Sequence, residues 1–172
     1  MTRDGCDGIA VGVPYSDELL RGAVLGFSGK GGTLIWKVSG SNDGDRFGTS
    51  VAAIADHDGD GFDDLIVTAD PVSKHGITHG RGAVVLSGSS GRIIATCESA
   101  ARSIERIGDV NADGCRDILL APAGDNDDAR AFTICSGSDL APIRSYRRRA
   151  AVASGLVTSQ LEDCDGDNIP DF

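Results

Sequence analysis

The chain has 172 residues, of which 40% are hydrophobic, 5% are aromatic and 24 are glycine, and its formal net charge is −10. The hydrophobic fraction suits a folded core and disfavours a disordered chain. The negative charge disfavours nucleic acid and anionic membranes as partners, because phosphate recognition needs clustered Lys and Arg. Many glycines with few aromatics favour an all-β chain rich in tight turns.

Cysteine, arginine and apolar patterns add little about function. The five cysteines form no CxxC pair, which excludes a zinc finger, and their odd number leaves the pairing open. We interpret the run Arg147–Arg149 as a solvated surface, with a phosphate or glycan contact as the alternative. No apolar stretch approaches 18 residues, so we expect no membrane insertion. The cysteines are Cys6, Cys97, Cys115, Cys135 and Cys164.

Two sequence patterns recur together along the whole chain. The first is a motif that begins with Asp-Gly at Asp4, Asp60 and Asp113 and with Asp-Asn at Asp167; these starts are 56, 53 and 54 positions apart. The second is a short apolar run that leads to a Ser-Gly pair beginning at Ser28, Ser87 and Ser136. Because both patterns move in phase, the repeated object is a structural unit. The predicted units cover approximately 1–45 (partial), 46–99, 100–150 and 151–172 (partial).

The first unit carries an incomplete acidic loop. Asp4 and Gly5 fit the motif, but Thr2 and Gly8 stand where two oxygen ligands would be needed. We therefore expect this loop to hold no metal or to hold it incompletely.

The second unit carries the best-preserved strands and loop. We predict strands over 48–55, 64–69, 82–86 and 92–97, because each segment is rich in Val, Ile, Ala or Thr and is bounded by turn residues. Their small and β-branched residues suit a sheet that is packed on both faces. Between the first two strands lies the pattern D-x-D-x-D-G-x-x-D, beginning at Asp56.

Such a loop has the chemistry of a calcium site. Ca²⁺ takes six to eight oxygen ligands, and alternate residues of a tight loop turn their oxygens inward, with a backbone carbonyl at position 7. Position 6 needs a sharp turn with positive φ, which Gly permits. The predicted ligands of this loop are Asp56, Asp58, Asp60, Asp64 and the carbonyl of Phe62.

Three histidines accompany the second unit. His57 occupies a non-ligand position and is expected to point to solvent. His75 and His79 lie in a predicted loop between strands; we interpret them as solvated, with a transition-metal pair as the alternative.

The third and fourth units repeat the loop. The third-unit ligands are predicted to be Asp109, Asn111, Asp113, Asp117 and the carbonyl of Cys115. In the fourth, Asn168 takes the turn position, and the ligands are predicted to be Asp163, Asp165, Asp167, Asp171 and the carbonyl of Ile169. Segments 98–107 and 150–162 could be mistaken for helices, but their place in the repeat predicts strands.

About 50 residues and four strands per unit are the dimensions of one β-propeller blade. The predicted fold is therefore all-β, with four-stranded antiparallel blades and about three blades in total. Because propellers usually close with four to eight blades, we expect a fragment of a longer propeller; self-assembly or an open array is the alternative. An EF-hand is disfavoured, because Val67 and Leu120 stand where its bidentate Glu belongs.

The second unit resembles an FG-GAP repeat, the unit of the integrin alpha-chain propeller. The resemblance lies in Phe47 to Val51, in the loop from Asp56 to Asp64 and in the strand after that loop. The third unit departs from this pattern, with Ser103 to Arg106 in place of the Phe-Gly start. The resemblance implies a seven-bladed propeller with calcium on one face, extracellular or cell-surface placement, and roles in adhesion or ligand display.

We therefore expect a binding or scaffold module stabilised by about three Ca²⁺ ions, with a protein or glycan ligand and no catalytic residues. Two alternatives are an accessory propeller of a larger secreted enzyme and a lectin-like domain. An enzyme would need acidic residues outside the loops to converge, but Glu98, Glu105 and Glu162 show no such spacing. A lectin would need aromatics that stack on sugars, for which the candidates are Trp36, Tyr15 and Tyr146.

Overall fold

The structure is a computed structural model that describes residues 6–69, 82–97, 101–121 and 131–147. These residues form eleven β-strands in three antiparallel sheets. The described part of the chain contains no helix, and hence no helix able to span a bilayer. The predicted all-β class, with blades of a β-propeller and about three of them, is confirmed.

Each sheet is a meander in which consecutive strands pair side by side. The first sheet holds β1 (Ile9–Val13), β2 (Ala23–Phe27) and β3 (Leu34–Ser39). The second holds β4 (Ser50–Ile54), β5 (Asp64–Thr68), β6 (Ala83–Leu86) and β7 (Ile93–Cys97). The third holds β8 (Ser103–Arg106), β9 (Ile118–Ala121), β10 (Ala131–Cys135) and β11 (Pro142–Arg147).

The four strands predicted for the second unit correspond to β4 to β7, with ends that differ by up to two residues. The strand predicted over 98–107 is present as β8, although its sequence lacks the Phe-Gly start. The strand predicted over 150–162 lies outside the described residues.

The sheets pack face to face, and strand alternation explains how. In β5 all five residues are buried: Ile66 faces a core shared with the third sheet, whereas Leu65 and Val67 face a core shared with the first. Successive side chains of a strand point to opposite faces, so this central strand needs apolar residues on both. The second sheet is therefore sandwiched between the other two.

Antiparallel pairing sets where the loops lie. In a four-stranded meander, the loop after the first strand and the turn after the third strand emerge at the same end of the sheet. In the second sheet these are the acidic loop between β4 and β5 and the Ser-Gly turn between β6 and β7. The third sheet repeats this arrangement with β8 to β11.

Candidate metal centres

Two clusters of carboxylates lie in the acidic loops of the second and third sheets. In the first cluster, one oxygen each from Asp56, Asp58 and Asp64 lies within 4.8 Å of the others. The second cluster places Asp109, Asp113 and Asp117 within the same distance. The predicted loops therefore bring acidic side chains together at one end of each sheet.

The first Asp of each loop holds the loop's own backbone. The Asp56 carboxylate accepts hydrogen bonds from the N–H groups of Asp60 (3.2 Å) and Gly61 (2.8 Å). Asp109 accepts the corresponding bond from Gly114 at 2.8 Å. Gly61 and Gly114 have φ of +87° and +88°, so the predicted sharp turn at position 6 is confirmed. This curled backbone turns alternate side chains toward one point.

The last Asp of the first loop has a fully buried carboxyl group. Asp64 is 0% exposed, and it accepts hydrogen bonds from the N–H groups of His57 (2.7 Å) and Gly88 (3.0 Å). Burial raises the pKa of Asp64 despite these bonds, and the nearby charge of Asp58 raises it further. The folded chain thus holds a carboxylate in a place that disfavours its negative charge.

Asp117 repeats this arrangement in the third sheet. It is 0% exposed and accepts hydrogen bonds from the N–H groups of Val110 (2.7 Å) and Gly137 (3.0 Å). At Gly137 a Cβ atom would lie 1.9 Å from the carbonyl oxygen of Arg116, so only glycine allows the turn to approach this closely.

The first sheet has the same turn without the carboxylate. A Cβ atom at Gly29 would lie 1.8 Å from the carbonyl oxygen of Asp7, as one at Gly88 would lie 1.9 Å from that of Asp63. This equivalence places Gly8 where Asp64 stands in the second sheet. Residues 1–5, which include the rest of this predicted incomplete loop, lie outside the described residues.

The Ser-Gly turn of the second sheet holds Asp60, at the fifth loop position. The Ser89 hydroxyl donates a hydrogen bond to the Asp60 carboxylate, and the Ser87 hydroxyl lies 3.4 Å from the same oxygen. The hydrogen bond from Ser89 lowers the pKa of Asp60. Asp60 is thereby oriented by the turn and is not among the three clustered carboxylates.

In the third sheet the corresponding turn holds Asp113. The hydroxyls of Ser136 (2.9 Å) and Ser138 (2.8 Å) and the side-chain amide of Asn111 (3.0 Å) all donate to one Asp113 oxygen. These bonds and a further one from the N–H of Cys115 lower the pKa of Asp113 to about 2, and the bond from Asn111 has the largest effect. Sequence reasoning missed the role of these serines, although the Ser-Gly register is in phase with the loops.

The side chain of His57 does not point to solvent, and that prediction is wrong. Its Nδ1 lies 3.1 Å from the carbonyl oxygen of Ala55, and its Nε2 is buried without a hydrogen-bond partner. The ring folds back because the N–H of His57 is fixed on Asp64, which orients the residue toward the end of β4. His75 and His79 lie outside the described residues.

The chemistry of the two clusters fits a calcium ion. All the side chains brought together offer oxygen, which a hard cation prefers, and none offers the nitrogen or sulfur typical of zinc. The first cluster has an ion pair with Arg92, but the Arg92 side chain is 73% exposed and its guanidinium lies 3.9 Å from the Asp58 carboxylate, so the pair stabilises the cluster little. A bound Ca²⁺ would supply the missing positive charge.

Some predicted ligands are not tested by this geometry. Phe62 and Cys115 donate their N–H groups to Asp60 (2.9 Å) and Asp113 (2.8 Å), and the role of their carbonyls stays a prediction. The third predicted site lies outside the described residues; it comprises Asp163, Asp165, Asp167, Ile169 and Asp171.

Trp36 is not free to stack on a sugar, as the lectin-like alternative would require. It packs against the core between the first two sheets, and its Nε1–H donates to the carbonyl oxygen of Gly88 at 3.1 Å. Tyr146 stacks on Phe132 with ring centroids 4.6 Å apart. Tyr15 is 65% exposed, beside the Arg46 guanidinium. The three aromatics therefore lie in separate environments.

Comparison with known proteins agrees with this architecture. Residues 47–86 match the FG-GAP repeat family. The chain is 28% identical to Integrin alpha-4 of Xenopus laevis over 188 aligned positions, which cover 99% of this chain and 18% of that protein. It is 35% identical to Integrin alpha-5 of Xenopus laevis over 97 positions, covering 52% of this chain and 9% of that protein. The predicted resemblance to FG-GAP repeats and integrin alpha chains is confirmed, and the chain spans less than a fifth of these relatives.

Proposed function

We propose that this chain, a set of integrin alpha-like β-propeller blades with an FG-GAP repeat, is a calcium-stabilised extracellular binding module. The observation that carries the proposal is the repeated cluster in which a fully buried carboxylate, Asp64 or Asp117, faces two further Asp side chains. Such a cluster is destabilising when it is not neutralised, and a divalent cation removes the repulsion.

Each group of loop residues has its own role in the proposed metal site. The clustered Asp side chains, joined in the second-sheet loop by the predicted ligand Asp60, would hold the ion. The first Asp of each loop shapes the backbone, and the serines of the turn orient the fifth-position Asp. Extracellular calcium modules typically bind at about 10⁻⁴ to 10⁻³ M. At about 10 mM Ca²⁺, one site of this affinity stabilises the fold by roughly 1.4–2.7 kcal/mol.

The binding role rests on similarity. The relatives are integrin alpha chains, and the blades present loops at both ends of rigid sheets, where binding residues are commonly found. We propose an adhesion-like role toward a protein or glycan ligand, with placement outside the cell, and no catalytic activity. Further blades from a longer chain, or other copies of this one, would complete the propeller.

A calcium titration by calorimetry on chelator-stripped protein tests the metal sites. We expect about three sites, including the one predicted over 163–171, and the loss of one site in each of Asp60→Ala and Asp113→Ala. Asp63→Ala is the matched control, because Asp63 is an exposed acidic residue at a non-ligand position of the same loop. Absence of calcium binding, or equal losses in the control, would refute the metal proposal.

A further inference from the structure

Two cysteines meet where the second and third sheets pack. Cys97 is the last residue of β7 and Cys135 is the last residue of β10. Cys135 is 1% exposed inside the core shared by these sheets, and Cys97 is half-buried against the same core. The two thiols are hydrogen-bonded to each other. A sulfur from each of two neighbouring blades is thus already in contact.

We infer that Cys97 and Cys135 are the site of a disulfide bond that joins the second blade to the third. Two features support this pairing besides the contact. Both residues end strands whose backbones are fixed by ladder pairing, Cys97 with Ala83 and Cys135 with Ile118. Ala83 and Ile118 belong to the same shared core, so both strand ends are packed on that core whether or not the bond forms.

The bond needs an external oxidant, for which a small-molecule disulfide such as oxidised glutathione suffices. Cys97 attacks one of its sulfurs as the thiolate, giving a mixed disulfide and releasing one small thiol. Cys135 then attacks the Cys97 sulfur, which breaks the mixed disulfide, and the proton of Cys135 passes to the departing small thiolate to give the second small thiol. Two protein thiols lose two protons and two electrons, and one small disulfide becomes two thiols.

Accessibility sets the order of these steps. Cys135 is 1% exposed and its thiol is hydrogen-bonded to Cys97, so an external disulfide does not reach Cys135 directly. Cys97 is half-buried and meets the oxidant first. An oxidising compartment agrees with the extracellular placement proposed above, but the bond itself does not depend on calcium.

Peptide mapping tests the pairing directly, because trypsin places each cysteine on a different peptide. Cys97 falls on residues 93–102 and Cys135 on residues 131–144. The purified chain is equilibrated with oxidised and reduced glutathione, alkylated in denaturant and, after the denaturant is diluted, digested near neutral pH. We expect the two peptides to be linked and to separate on reduction. Alkylation of both cysteines after oxidation, or a bond from either to Cys6, Cys115 or Cys164, would overturn the inference.

Thermal melting supplies a second readout on the same protein. Closing the chain between residues 97 and 135 should raise the melting temperature of the oxidised chain by about 10 °C relative to the reduced chain. The rise should vanish in Cys97→Ser and persist in Cys6→Ser, whose cysteine is exposed and lies outside both acidic clusters. Mapping and melting are run in chelator, so they test the disulfide even if the chain binds no calcium. Absence of the disulfide would likewise leave the calcium titration valid.

Discussion

At the scale of single residues, the two loops differ at their third position, and this difference is informative. Asp58 adds a carboxylate beside the buried Asp64, whereas the third-sheet loop has Asn111, whose amide donates to Asp113 at 3.0 Å. The number of charged ligands is one factor that tunes calcium affinity. The chain thus contains its own matched comparison of a more and a less charged loop.

Exchanging these residues should move affinity and metal-free stability in opposite directions. We expect Asp58→Asn to raise the melting temperature in chelator, because repulsion with Asp64 falls, and to weaken calcium binding by about three- to tenfold. Asn111→Asp should strengthen binding and lower the melting temperature in chelator. Melting in chelator measures the stability, and calorimetric titration measures the calcium affinity. A variant in which both the melting temperature and the affinity rise, or both fall, would contradict the electrostatic account.

A second difference between the loops concerns the fourth position. Gly59 has φ of +74° and its counterpart Ala112 has φ of +60°. A left-handed conformation costs an L-residue with a Cβ atom roughly 1–2 kcal/mol. Alanine at this position of the third-sheet loop is therefore strained.

We expect Ala112→Gly to stabilise the chain and Gly59→Ala to destabilise it, each by about 1 kcal/mol, because relief of strain exceeds the extra freedom of unfolded glycine. A Cβ atom added at Gly59 would have no atom within 4 Å, so the change in the free energy of unfolding reflects backbone strain and not side-chain packing. Urea denaturation in chelator gives both values. A destabilised Ala112→Gly would show that the loop tolerates the conformation without cost.

At the scale of elements, the sequence predicts strands and loops well because both depend on short-range patterns. The β-branched runs predicted β4 to β7. The place of 98–107 in the repeat predicted β8, although this segment lacks the Phe-Gly start of the second unit. Loop curvature followed from Asp and Gly spacing. These features need only residues close together in sequence.

What the sequence did not predict depends on contacts between distant residues. Ser138 lies 25 positions from Asp113, and Trp36 lies 52 positions from Gly88. The pairing of strands within the third sheet brings Ser138 to Asp113, and the packing of the first sheet on the second brings Trp36 to Gly88.

The turn between β10 and β11 offers an element-scale test. Ser138→Ala removes one of two hydroxyls that orient Asp113, and we expect calcium binding at that loop to weaken by about tenfold. Ser145→Ala on β11 is the matched control, since its hydroxyl contacts Thr133 and not the loop. Equal affinities for the two variants in calorimetry would show that the turn does not orient the site.

At the scale of the whole molecule, stability depends on how the sheets pack. Trp36, the single tryptophan of the chain, joins the first sheet to the second through the core and through Gly88, whose N–H donates to Asp64. Its emission therefore reports on this junction and on the turn beside the second-sheet loop.

Replacing Trp36 with Phe should lower the free energy of unfolding by roughly 1–3 kcal/mol, because the hydrogen bond and part of the packing are lost. Urea denaturation followed by circular dichroism measures the change. Leu34→Ala on the same strand is the control, with a side chain 53% exposed and an expected effect well below 1 kcal/mol. A change no larger than that of the control would argue against a packed junction.

The hydrogen bonds described above that orient the carboxylates of each acidic loop come from the same sheet: from its own loop and from its own Ser-Gly turn. A tandem duplication of one unit would therefore copy a complete site, with no part left behind in a neighbour. Arrays of such units can gain or lose blades without redesigning the sites that remain, and one unit can lack the last carboxylate, as the first sheet does at Gly8, while the other units keep theirs.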